Sequence, residues 1–399
     1  MIVAGNSKKK AIRFIVLLGC TSLFADMTYE GARSINGPFL QLLGANGTTV
    51  GVVAGAGELV GYGLRFFSGY ISDRSHKYWA ILFGGYAINL LSVPLLALAG
   101  YWQIAVVLMI AERAGKAIRN PTRDAMLSFA SNETGRGWGF GLHEFMDQLG
   151  ATLGPLLVGA VLYFKHDDYR ISYRTLLIPA LIALSILLAA RKLYPHPEEL
   201  EIKRVRFGEA DKITTPAFII FTMAAMCLAT GYADYPLIAY HFRQKAMMRD
   251  ELIPILYALA MFSEGFTALL LGRLFDRIGS WVLIATTALS MFFAPLVFQQ
   301  NFQLAIVGMI LWGLGMGAQG SILKAAIADV IPSAKRATAF GIFDTVYGVA
   351  WFAGSAYMGY LYDTSIEGLI RFSVTLQFFA VIILLLFIIK YKSGKSMGH

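Results

Sequence analysis

Apolar runs of about twenty residues recur from one end of this 399-residue chain to the other. Each is long enough to cross a hydrocarbon core of about 30 Å as a helix. The composition agrees: 57% of residues are hydrophobic and 15% charged, with a mean hydropathy of +0.59, whereas a water-soluble chain carries about a quarter charged residues. The chain reads as a polytopic membrane protein. Its formal charge of +9 does not point to nucleic acid, because the lysines and arginines cluster in short links between alternate apolar runs, which is a topology signal. Cys20 and Cys227 both fall inside apolar runs, form no disulfide framework and say nothing about redox compartment.

Hydropathy predicts about 12 spans, centred near Asp26, Leu59, Ile88, Ile110, Gly150, Leu184, Cys227, Ser263, Leu289, Gly315, Gly348 and Val381. Lys8 to Lys10 followed by an apolar run resemble a signal peptide, but the helical pattern continues through Asp26, Glu30 and Arg33 to Pro38 without a convincing small-x-small cleavage site, so the run is expected to be the first span. The basic links SDRSHK, ETGRG, FDRIG and SAKR, the central PHPEELEIKRVRFGEADK and the tail KYKSGK are assigned to the cytoplasm, together with both termini. GANGTT, AGYWQ, QQNFQ and DTSIEG lie outside, with FKHDDYR and RQKAMMRD as basic exceptions.

The central segment divides the chain into an expected six-helix bundle at 1–194, a cytoplasmic linker at 195–212 and a second six-helix bundle at 213–399. An internal repeat supports the split. GYISDR near Asp73 recurs as GRLFDR near Asp276, and Arg136, Phe140, Gly141, Gly154 and Gly159 match Arg336, Phe340, Gly341, Gly354 and Gly359 at a constant offset of 200. Repeated halves around a midplane site are expected of secondary transporters.

Several spans carry ionisable groups. In the fourth, Glu112, Lys116, Arg119 and Arg123 follow at spacings of four, three and four, one face of a helix. Glu112 and Arg113 are placed near mid-membrane, whereas Arg119 and Arg123 fall near the cytoplasmic end and are expected to snorkel to the interface. The fifth puts His143, Asp147, Gly150 and Gly154 on one face and Glu144, Gln148, Ala151 and Pro155 on the next. In the first span Asp26, Glu30 and Arg33 share a face, as do Glu58, Tyr62 and Arg65 in the second. Each of these two spans sets an acid seven residues before an arginine, two turns apart and suited to pairing between helices, either as static ion pairs or as a functional array.

Asp147 is the leading candidate for a proton carrier, with Glu30, Asp26, Glu144 and His143 in support. A carboxyl at mid-membrane can take up a proton when its surroundings are dry and release it when a cavity opens or an arginine approaches. His143 either transfers protons or simply caps Asp147. Arg33, Glu58, Glu112, Arg113, Lys116 and Gln148 are candidate substrate contacts. The second half has fewer intramembrane charges, Asp234, Glu264, Lys324 and Asp344, with His241 near the outer end. There Tyr235, Asp344, Tyr347 and Trp351 form candidate stacking contacts for an amphipathic substrate, with lipid-facing or core packing as the alternative.

These residues resemble the major facilitator superfamily over nearly the whole chain. The family's loop signature between spans two and three is matched by Gly69, Asp73, Arg74 and Lys77, with His76 and Tyr78 departing from it, and the second-half copy keeps Gly272, Asp276, Arg277 and Gly279. The resemblance implies a cytoplasmic latch in which Gly69 admits close helix contact and Asp73 pairs across a domain boundary; the alternative is a tight basic turn that only fixes topology. The fifth span is similar to the family's antiporter signature at Gly141, Gly150, Gly154, Pro155 and Gly159, with Val158 in place of one glycine. The alternative there is generic small-residue packing. The family's arginine motif is matched in part, by Arg113, with Lys116 and Arg119 departing from it.

The resemblance implies an all-α fold of 12 transmembrane helices in two pseudo-symmetric bundles, in a prokaryotic plasma membrane. The expected function is proton-coupled export of a small organic solute by a monomer that needs no cofactor beyond the proton gradient and binds no nucleic acid or metal. Uptake of an organic anion, which Arg113, Lys116 and Arg33 could hold, is the runner-up. A non-transporting sensor would bind ligand without flux, and is expected to bring an extra soluble domain that no stretch of this sequence provides. No metal-ligand cluster, nucleophile elbow or phosphate loop speaks for an enzyme.

Overall fold

The computed structural model describes residues 2–75, 77–134, 136–200, 216–278, 281–330 and 336–392. Among them no strand occurs, and the chain forms α1 (Ile2–Leu42), α2 (Gly47–Ser75), α3 (Tyr78–Leu95), α4 (Trp102–Thr134), α5 (Arg136–Phe164), α6 (Tyr169–Thr175) and α7 (Leu177–Leu193). Then follow α8 (Pro216–Gly231), α9 (Tyr235–Gln244), α10 (Leu252–Ile278), α11 (Trp281–Ser290), α12 (Phe293–Val297), α13 (Phe302–Val330), α14 (Arg336–Thr364) and α15 (Ile366–Lys392). The pairs α6–α7, α8–α9 and α11–α12 each make one interrupted span, so these helices form the 12 spans read from the sequence. Every expected centre falls on the matching helix or pair.

Among the described residues, eight of the spans are long and apolar enough to cross a bilayer by hydropathy alone. The fourth is displaced from its expected centre near Ile110, because α4 continues to Thr134 through the charged turns that depress hydropathy there. The seventh is broken at residues 232–234, and Pro236 opens α9 at a first-turn position where the missing N–H costs no helical bond. Asp168 starts α6 by accepting from the Ile171 N–H at 2.9 Å.

Two compact units divide the chain. The first holds residues 1–39, 60–206 and 250–258, and the second holds 40–59, 207–249 and 259–399. The first half of α2 thus belongs to the second unit, and the opening turns of α10 belong to the first. The linker expected at 195–212 lies outside the described residues from 201 onward.

In the first unit α1, α3, α4 and α7 bury a core around Phe14, Leu18, Leu82, Tyr86, Leu127 and Leu187. Trp79 donates its indole N–H to the Tyr194 carbonyl at 3.0 Å, and Phe14 meets both rings edge-on. In the second unit α8 packs on α14 and α15, and the fully buried Trp312 donates to the Ala233 carbonyl at 2.9 Å. Large apolar side chains such as Val107, Phe164, Leu386 and Ile389 stand exposed, as expected of faces turned to lipid.

Candidate functional site

The site grows from α1. Its face Ser22, Asp26, Tyr29, Glu30 and Arg33 meets the charged face of α4, and the two form a ladder of opposite charges inside the first unit. Asp26 accepts from Arg119 Nη2 at 3.0 Å. One turn on, Glu30 lies 3.7 Å from Lys116 Nζ and 3.9 Å from Arg33 Nη1. Glu112 accepts from the Asn89 amide at 2.6 Å and lies 3.9 Å from Arg113 Nε.

Aromatic faces complete the rungs. Lys116 Nζ sits 3.6 Å above the centre of Tyr29, Arg113 5.0 Å from that ring, and Arg119 4.3 Å above Tyr86. A cation over a dry ring is stabilised by the ring's quadrupole, which offsets part of the water it has lost. The buried charges are therefore held by both carboxylates and rings.

At the next turn α5 joins the ladder. Asp147 is buried, with one carboxylate oxygen 3.4 Å from Arg123 Nη1 and 3.5 Å from His143 Nδ1. The other imidazole nitrogen of His143 lies 2.9 Å from Ser22 Oγ. Ser22 in turn lies 3.2 Å from the Tyr86 hydroxyl and 3.4 Å from Arg123. Asp147, His143, Ser22, Tyr86 and Arg123 thus make one connected polar cluster, which Tyr86 joins to the Arg119–Asp26 rung.

Glycines let α5 come this close. A side chain at Gly150 would run into the Leu23 carbonyl, and one at Gly154 into the Met27 carbonyl, so α1 and α5 meet backbone to backbone. Gly159 packs against Ile255 and Glu251 at the start of α10, whereas nothing stands beside Gly141. Pro155 lies within α5. These contacts set the depth at which Asp147 and His143 face α1 and α4.

The structure corrects one sequence expectation. Arg119 and Arg123 do not snorkel: the Arg119 side chain is 0% exposed and that of Arg123 11%. Hydropathy sees each cation alone, while the fold supplies Asp26 and Asp147 from other helices at the same depth. Ser22, Tyr86, Asn89 and Tyr257 were missed altogether, being ordinary helix residues until the tertiary fold brings them to a charge. Tyr257, on α10, donates to Glu30 Oε2 at 2.6 Å.

Other predicted residues lie apart from the ladder. Glu144 is exposed and accepts from Gln148 at 3.4 Å. Glu58 is half-buried, and Arg65 lies 5.1 Å from the Tyr62 ring on its own helix. In the second unit Asp234, at the break before α9, accepts from Trp351 Nε1 at 3.0 Å and Ser355 Oγ at 2.6 Å. Tyr347 donates to Gln319 at 2.7 Å and meets Trp351 at 5.5 Å between ring centres. Tyr235 is fully buried against Trp312, and Asp344 is half-buried.

Of the latch residues, Gly69 faces Pro121 and Arg74 donates to the Tyr70 hydroxyl at 3.0 Å. The side chains at Asp73, Gly272, Asp276 and Arg277, and Gly279 as a whole, lie outside the described residues, as do the side chains of Arg136 and Lys324. Among the described residues no group of three or more His, Cys, Asp or Glu is placed to hold a metal ion.

Comparison with known proteins agrees with this fold. An uncharacterized protein of Mycobacterium bovis is 38% identical over 378 residues, covering 94% of this chain and 92% of its own. An uncharacterized MFS-type transporter of Methanocaldococcus jannaschii is 28% identical over 363 residues, covering 88% and 89%. Among solved structures, a peptide transporter POT in complex with sulfate superposes with a TM-score of 0.77 at 15% identity, covering 94% of each chain. The nucleoside transporter NupG does so with 0.72 at 12% identity, covering 95% and 99%. The sequence profile of the Major Facilitator Superfamily matches residues 18–355 and 217–395. With this match and its multi-pass helical fold, the chain belongs to the Major Facilitator Superfamily, a secondary transporter of small molecules that works by alternating access.

Proposed function

We propose that this transporter exchanges protons for a small organic solute across a prokaryotic plasma membrane, in the direction of export, as a monomer with Asp147 as its proton carrier. The observation that supports it is the position of the Asp147 carboxylate, buried between Arg123 and His143 in a cluster that reaches the Asp26–Arg119 rung. A proton on Asp147 cancels its charge and removes the Coulombic hold on Arg123. Arg123 still has Asp124 at 3.0 Å and Ser22 at 3.4 Å, so it can swing between partners rather than be left bare. When the cluster opens to water the proton leaves and the pair reforms. The antiporter-like pattern on α5 favours export.

A second reading, uptake of an organic anion together with protons, rests on Arg33, Arg113 and Lys116, cations on the facing sides of α1 and α4 that could hold a carboxylate or phosphate.

Proteoliposomes loaded with a pH-sensitive dye separate the two. Outward-directed solute drawing protons inward supports export, and anion entry accompanied by protons supports uptake. With Asp147→Asn the proton signal is expected to fall at least tenfold while the protein stays monodisperse. An unchanged proton signal in that variant removes Asp147 from the mechanism.

A further inference from the structure

Residues 250–257, the start of α10 and the two residues before it, contact α6, α5 and α1. Tyr169 donates to the Asp250 carboxylate at 2.6 Å. Gly159 lets the Glu251 carbonyl and Ile255 approach α5. Tyr257, fully buried, donates to Glu30 Oε2 at 2.6 Å. The first two contacts use backbone packing or a residue beside a loop. The third ends on the charge ladder itself.

We propose that Tyr257 is the positioning residue that ties the charge state of Glu30 to the seating of α10, a role that rests on the proton-coupled reading above. Its phenol donates to a carboxylate, and a hydrogen bond to an ionised acceptor is roughly twice as strong as a neutral one. The groups facing Glu30 are Arg33 and Tyr29 from α1, Lys116 and Glu112 from α4, and Tyr257 from α10. Tyr257 is the member of this set that sits on a helix continuing into the second unit. When Glu30 loses its charge, the phenol loses the strong form of its bond, while the Tyr169–Asp250 bond and the packing on α5 remain. When the charge returns, Tyr257 draws α10 back onto α1. A change made by a proton thereby acts on a helix rather than staying within one side chain.

Amide hydrogen exchange of residues 250–258 in lipid nanodiscs tests this without any solute. Across a pH series, corrected for intrinsic rates, the wild-type segment is expected to show a step in protection. The segment itself carries the carboxyls of Asp250 and Glu251, so Glu30→Gln identifies the part of the step that belongs to Glu30. Tyr257→Phe, which keeps the ring, is expected to erase that same part. Tyr257→Phe should raise exchange about tenfold, Glu30→Gln at least as much because it also removes the charge beside Lys116 and Arg33, and the double variant no more than Glu30→Gln alone, because the phenol's charged acceptor is already gone there. Retention of the Glu30-dependent step in Tyr257→Phe, or additive effects, overturns the proposal. The liposome assay distinguishes the two levels: a wild-type protein without a proton signal ends the coupling reading, whereas a coupled wild type with an unaltered Tyr257→Phe protein ends only the role of Tyr257.

Discussion

Helices α5 and α14 hold matching places in the sequence repeat, and their skeletons do the same work. A side chain on Gly154 would meet the Met27 carbonyl of α1, and one on Gly354 the Thr230 carbonyl of α8. In each half the fifth span is thus pressed against the first by a glycine at the same repeat position. What the helices carry is different. His143 and Asp147 face Ser22 and Arg123, while the residues 200 positions later, Phe343 and Tyr347, stack with ring centres 5.5 Å apart at 24°. The second unit's buried Asp234 accepts from an indole and a hydroxyl, and no buried ladder of alternating charges runs through the described residues there. One scaffold has therefore been fitted twice, once with buried charges and once with rings and neutral donors.

The strongest way to break this contrast is to remove one charge from the ladder. Asp26→Asn leaves Arg119, with a side-chain exposure of 0%, without its carboxylate, and loss of one partner from a buried pair costs about 3–5 kcal/mol. Thermal unfolding in detergent is expected to show that loss, and Asp26→Asn combined with Arg119→Gln should recover much of it. A single variant as stable as the wild type would mean that water reaches Arg119 and that the ladder is not dry. The glycine pair offers the next largest effect, and here the halves should agree. Gly154→Val and Gly354→Val each push a branched side chain into a facing backbone, an overpacking cost of about 1–3 kcal/mol. Unequal losses from the two would separate skeletons that the repeat makes equivalent.

Much of this was legible in the chain itself. The span count and the repeat follow from runs of apolar residues and from residues that recur at a fixed offset, both of which are local signals. The helical spacing also put the right groups on the right faces: Asp26, Glu30 and Arg33 do share a face, and so do His143 and Asp147. The partners were not legible. Arg119 looked like an interfacial cation because nothing within its own helix neutralises it, and Asp26 lies 93 residues away. Tyr257 is 227 residues from Glu30, and a tyrosine in an apolar run carries no mark of what it will meet. The division of α2 and α10 between units was hidden for a related reason, since hydropathy registers a continuous span and not which neighbours its two ends touch.

The smallest effect belongs to the aromatic half. Tyr347→Phe keeps the ring that stacks on Phe343 and meets Trp351, and it deletes the hydroxyl that donates to Gln319 at 2.7 Å. A neutral hydrogen bond of this kind contributes about 0.5–1.5 kcal/mol, so the unfolding temperature should fall only slightly. The proton signal in liposomes should not change, because no charge is altered and the first unit's ladder is untouched. Substitution of Asp147, at the matching repeat position, is expected to do the reverse, with a large change in proton signal. If Tyr347→Phe altered the proton signal as strongly as Asp147→Asn, the proton path would have to run through both halves, and the separation of charge from shape between the two repeats would fail.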